Sequence, residues 1–103
     1  MTDRLQKLLS MYDKTPKDTF VIYGVAMEYK KAKDISLALE WFDKVIATDA
    51  GYSVAYHQAA LTLEMDEKIS DAIAMYNRGI IAAEKKGDIH AADEMRAAMA
   101  VIE

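Results

Sequence analysis

His57 and His90 are the only imidazoles in this chain, and neither has a nucleophile at a spacing that suggests catalysis. Ser10, Ser36, Ser53 and Ser70 supply hydroxyls, but Ser36 and Ser70 stand where helix N-caps are expected. No set of nucleophile, base and orienting group can be assembled from these residues. His90 and Glu94 lie at i, i+4 and would share one helix face, close enough to hold a metal ion together. Two ligands do not make a metal site. The chain has no cysteine, so disulfide and thiolate chemistry are excluded, and a reducing, cytoplasmic setting fits. The expectation is a protein that is not an enzyme and carries no metal or cofactor.

Charge and hydropathy narrow the partners. The net charge of −4 gives no general attraction to phosphate backbones. The one dense basic patch, Lys30-Lys31-Ala32-Lys33, is read as a solvated helix end, so nucleic acid is not expected as a partner. The N-terminal stretch mixes charges with a short apolar set and lacks a signal-peptide core. No apolar run approaches the roughly 20 residues of a membrane span.

One proline and four glycines among many Ala, Leu, Met, Glu and Lys favour helix throughout. Leu5, Leu8, Leu9 and Tyr12 share one face of a first helix, over 2–13, with Thr2 as its N-cap. A second helix is expected over 16–32, with Pro16 in its first turn, Thr15 as cap and Asp18 completing a capping box. Ser36 is expected to cap a third helix reaching Thr48, and a fourth covers 53–65 with Tyr56, Ala59, Ala60 and Leu63 inward. Ser70 is expected to cap a fifth reaching Lys86. Gly87 then stops the chain, and Asp88 caps a sixth whose stripe is Ala92, Met95, Met99 and Ile102.

These helices repeat. The segment 35–46, ISLALEWFDKVI, recurs thirty-four residues later as ISDAIAMYNRGI, pairing Ala38 with Ala72, Phe42 with Tyr76 and Ile46 with Ile80. Leu8 and Tyr12 extend the same registers backward. A fixed period of this length signals stacked helical units. Ile22, Val25, Ala26 and Tyr29 followed by Ala38 and Phe42 form one unit, with Ala50 where proline is usual. Tyr56, Ala59, Ala60 and Leu63 followed by Ala72 and Tyr76 form the next, with Glu84 at the proline position. The chain resembles the tetratricopeptide repeat family, whose 34-residue unit follows this pattern of small and large positions. The resemblance divides it into a half-repeat (2–15), two full repeats (19–52 and 53–86) and a capping helix (88–103) of one all-α domain. The fold it implies is a right-handed superhelical stack of about six helices in antiparallel pairs. Arg4 departs from the pattern where a small residue belongs, as expected of an end helix with nothing stacked beyond it.

The resemblance implies a function in protein–protein interaction, with a peptide or helix of a partner lying in a concave groove lined by the first helix of each unit. Carried over by position, the groove residues are Phe20, Tyr23, Gly24, Met27, Lys30 and Lys31, then Val54, His57, Gln58, Leu61, Glu64 and Met65. They make an apolar strip with a basic corner. The alternative is that the chain's own end helices cover Phe20, Tyr23, Met27 and Leu61. The lysine and asparagine clamp by which some members grip a C-terminal carboxylate is missing, since Tyr23 and Met27 stand at its positions. Two full repeats fall short of the three usually needed for a stable solenoid, so a homodimer through the strip or a terminal helix is a second expectation. Trp41 is expected on an outer face, partly exposed.

Overall fold

The computed structural model describes residues 2–103, and among these there are six helices and no strand. They are α1 (Asp3–Lys14), α2 (Thr19–Lys31), α3 (Ile35–Thr48), α4 (Ser53–Met65), α5 (Ile69–Lys86) and α6 (Ile89–Ile102). The chain forms two compact units, Met1–Asp49 with α1–α3 and Ala50–Glu103 with α4–α6.

In the first unit, α2 packs against both α1 and α3. Thr2 caps α1 as expected, its hydroxyl oxygen accepting from the Leu5 amide at 3.1 Å. Thr15 does not cap α2. It closes α1 instead, donating its amide and its hydroxyl to the Met11 carbonyl at 2.9 Å each. Pro16 and Lys17 form a turn, and α2 starts later than expected, with Asp18 as the true cap. The Asp18 carboxylate accepts from the amides of Phe20 and Val21, and its charge suits the positive end of the helix dipole. The core of this unit is Leu5 and Leu8 from α1, Val21, Ile22, Val25 and Ala26 from α2, and Ala38, Trp41, Phe42 and Val45 from α3.

Trp41 overturns its expectation. It is only 8% exposed. Tyr12 meets it edge-on with ring centroids 4.8 Å apart, and Tyr29 flanks it at 6.4 Å. One indole therefore ties α1 and α2 to α3, with the Lys44 ammonium 5.5 Å from its ring. Arg4 is also employed: its guanidinium pairs with Glu28 of α2 at 3.3 Å.

In the second unit, α5 packs between α4 and α6. Tyr76 and Ala72 are fully buried, as are Ala59 and Ala60 of α4, and these small and large positions let the helices mesh. Gly79 marks the tightest approach. A Cβ built there would lie 2.5 Å from the Tyr56 Cβ on α4 and 2.5 Å from the Met95 sulfur on α6. Asp88 caps α6 as expected, accepting from the Ala91 amide, and Ala92 and Met95 are the buried part of its stripe.

The turns inside the helix pairs correct the other two expected caps. Lys33 and Glu67, thirty-four residues apart, both take left-handed backbone, with φ of 62° and 57°. Each closes its helix by the same pair of bonds. Asp34 N–H reaches the Tyr29 carbonyl and Lys33 N–H that of Lys30, while Lys68 and Glu67 repeat this on Leu63 and Glu64. So early a reversal puts the N-cap immediately after the left-handed residue, at Asp34 and Lys68, two positions before Ser36 and Ser70. Asp34 accepts from the Leu37 amide at 3.3 Å, whereas Lys68 makes no side-chain cap bond.

Candidate functional site

The residues expected to face a partner lie on α2 and α4, the first helix of each pair. On α2, Val21, Ile22, Val25 and Ala26 are buried, Phe20 and Lys31 are exposed, and Tyr23, Gly24 and Met27 to Lys30 are half-buried. Phe20 is 68% exposed, so the described residues leave most of it uncovered. Tyr23 and Met27 are half-buried, and the Tyr23 ring leans on Phe42 with centroids 6.1 Å apart. That contact fixes the phenol ring while leaving part of it accessible. Gly24 lets α1 come close: a Cβ there would meet the Leu8 methyls at 3.2 and 3.3 Å. The basic corner is uneven. Lys31 is exposed, whereas Lys30 is half-buried and burial pushes its ammonium below the usual lysine range.

On α4, Val54 and Met65 are exposed at the two ends, and His57, Gln58 and Leu61 are half-buried between them. His57 stands edge-on to Tyr76 with centroids 5.7 Å apart. Tyr76 continues to the surface through its hydroxyl, which donates to Glu64 at 2.6 Å. Burial, then the hydrogen bond to that carboxylate and its negative charge, push the Tyr76 phenol well above its usual range. Glu64 is thus tied to the core.

Aromatic, thioether and aliphatic side chains at one helical spacing offer adaptable apolar area. Ser53 is buried and donates to the Gly51 carbonyl at 3.4 Å, which is a turn bond. His90 pairs with Glu94 at 2.9 Å on the open surface of α6. Among the described residues no group of three or more His, Asp or Glu is placed to hold a metal ion, and no helix is long and apolar enough to cross a membrane.

No protein-family profile matches the chain, and no curated protein matches it in sequence. Solved structures do. A tetratricopeptide repeat domain protein from Salinibacter ruber, in its solution structure, is 31% identical, with a TM-score of 0.79 over 85% of this chain and 89% of that one. A crystal structure of a tetratricopeptide repeat domain protein from the same organism is 30% identical, with a TM-score of 0.70 over 80% and 92%. The solution structure of a protein from Bordetella parapertussis matches 99% of this chain and 89% of its own at a TM-score of 0.85, and at 20% identity it speaks for the fold alone. The six helices, the thirty-four-residue period of their turns and this identity over most of both chains agree: the chain belongs to the tetratricopeptide repeat family.

Proposed function

We propose that this protein is a non-catalytic interaction module that holds a peptide or helix of a partner protein on the groove positions of its repeats. Domains of this family are in general protein-interaction modules. The residues assigned to the partner are Phe20, Tyr23, Met27, Lys30 and Lys31 on α2, with Val54, His57, Gln58, Leu61 and Met65 on α4. The assignment takes 19–52 and 53–86 as the two full repeats, 2–15 as a half-repeat and 88–103 as a cap. The observation that carries it is Phe20, a large aromatic left 68% exposed beside Tyr23 and Met27 on one helix. An apolar strip of this kind left open to water is ordinarily kept for a partner. The test is capture of the native partner from cell extract by immobilised protein. Tyr23→Asp and Leu61→Asp should each abolish capture while the helical circular dichroism stays unchanged. Capture that survives both substitutions overturns the assignment.

The last helix supports a second reading, a homodimer. Ile89 is 57% exposed and Val101 84% exposed on α6. Light scattering after gel filtration tests it, and a monomer mass at every concentration rules it out.

A further inference from the structure

The second unit holds a cavity that the groove positions do not touch. It has a volume of about 500 Å³ and lies between the Ala50-Gly51 turn and the outer side of α5. That is within the range of ligand-binding clefts. Its apolar surface is the Tyr56 ring, Ala82 and Ile81, and Ile81 is 66% exposed at the lip. Its charged lining is entirely basic: Arg78, Lys85 and Lys86. No carboxylate lines it, in a chain whose net charge is −4.

The walls are fixed and two of the cations are uncommitted. The Tyr56 hydroxyl donates to the Ala50 carbonyl at 2.7 Å, and the Lys86 ammonium donates to the Gly51 carbonyl at 3.1 Å. These bonds pin the turn against α4 and α5. The Arg78 guanidinium lies 5.7 Å from the Tyr56 ring centroid, and its one side-chain hydrogen bond is a weak contact to the Met75 sulfur at 3.7 Å. Neither neighbour is charged, so the ring orients the guanidinium without neutralising it. The ion pairs of this unit go elsewhere, with Lys68 on Asp66, His90 on Glu94, and Arg96 on Glu84 and Asp93.

The spacing of the cations selects the occupant. Arg78 and Lys85 are seven residues apart on α5, about 10 Å along the axis, with Ile81 and Ala82 between them. Their side chains leave α5 about two turns apart, on either side of that apolar pair. An extended chain turns every second side chain to one face at intervals of about 7 Å. An apolar residue with an acidic residue two positions to either side therefore presents all three groups to α5 together, for the long Arg78 and Lys85 side chains to meet. We propose that this cavity binds an acidic peptide segment of a partner protein, with carboxylates on Arg78 and Lys85 and an apolar side chain on Ile81, Ala82 and Tyr56. The site is separate from the groove positions of α2 and α4 and stands whether or not those bind a partner.

Fluorescence anisotropy of a labelled probe, Gly-Asp-Glu-Leu-Asp-Glu-Gly, tests it, together with amide chemical shifts of the full chain. The probe should saturate, with shifts centred on residues 78–86. Arg78→Glu and Lys85→Glu should each weaken it by about ten- to a hundredfold. Arg78→Lys should retain most of the binding. Ile81→Ser should weaken it with the charges intact, and so should replacing the probe's leucine with serine. All three positions lie on the surface, so circular dichroism should be unchanged. Tyr23→Asp should bind the probe as the native chain does. The proposal is overturned if the probe does not bind, if its shifts fall on α2, or if Tyr23→Asp abolishes binding. Inorganic phosphate displacing the probe at equal concentration, or the Asn-Gln-Leu-Asn-Gln analogue binding equally well, also overturns it.

Discussion

Tyr76 donates its phenolic proton to Glu64, and the equivalent pair one repeat earlier is Phe42 and Lys30. Both positions differ between the two repeats. Where the buried ring carries a hydroxyl, the surface position supplies a carboxylate, and where the ring is a phenylalanine it holds a lysine whose ammonium is half-buried. A buried hydroxyl without an acceptor would be destabilising, so Glu64 satisfies the ring as well as facing outward. Tyr76→Phe should cost about 1 kcal/mol, less than a fully buried bond to a charged group because Glu64 is half exposed. The effect of pH has a definite sign. The folded state holds the Tyr76 proton more tightly than the unfolded chain, where the phenol titrates near pH ~10. Stability from this proton is complete below that pH and falls as pH rises above it, since the unfolded chain then binds fewer protons. Urea midpoints from pH 9 to 11 should therefore drop more steeply for the native chain than for Tyr76→Phe. Equal slopes would remove the link between this hydroxyl and Glu64.

Gly79→Ala should destabilise the second unit although alanine is the better helix former. The gain in helix propensity is about 1 kcal/mol. Against it, the new methyl would meet the Tyr56 Cβ and the Met95 sulfur, both at 2.5 Å. Met95 can move its flexible end, but the Tyr56 Cβ moves only with the backbone of α4. Overpacking of this kind costs about 1–3 kcal/mol, so a net loss of about 1 kcal/mol is expected. A urea titration with an unchanged m-value measures it. A gain in stability would mean that α4 is free to shift outward.

The repeat itself was legible because its physics is written in residue size. Ala38 and Ala72 had to be small and Phe42 and Tyr76 large, and all four are fully buried. Gly87 was legible for a similar reason, with φ of 84° at the end of α5. Trp41 was not, because its neighbours come from two other helices, and no single-helix pattern says that Tyr12 and Tyr29 will close over it. Nor were the turns at Lys33 and Glu67. Neither residue type announces left-handed backbone, and reading Ser36 and Ser70 as caps followed from missing it. The cavity beside Arg78 needed the fold as well, since Gly51 and Lys86 are thirty-five residues apart.

The displaced cap gives a pair of substitutions with opposite expectations. Asp34 accepts from the Leu37 amide and carries charge at the positive end of α3. Asp34→Ala should therefore cost about 1 kcal/mol. Ser36 lies two residues inside the helix and is exposed, so Ser36→Ala should be neutral or slightly stabilising. Thermal melts of the two variants decide it, and the reverse order would restore Ser36 as the cap.

Lys33 and Glu67 hold a conformation that costs a side chain about 1–2 kcal/mol and costs glycine almost nothing. The turn bonds from Asp34 to Tyr29 and from Lys68 to Leu63 force it, because they form only if the residue before the donor turns left-handed. Lys33→Gly and Glu67→Gly should each raise stability, by no more than about 1 kcal/mol because glycine also loosens the unfolded chain. The two sites lie in different units, with no partner in common among these turn bonds, so the gains should add in the double variant. Urea midpoints for the two single variants and the double measure this. A loss of stability at either site would mean that the Lys33 or Glu67 side chain, rather than the turn geometry, holds that helix pair together.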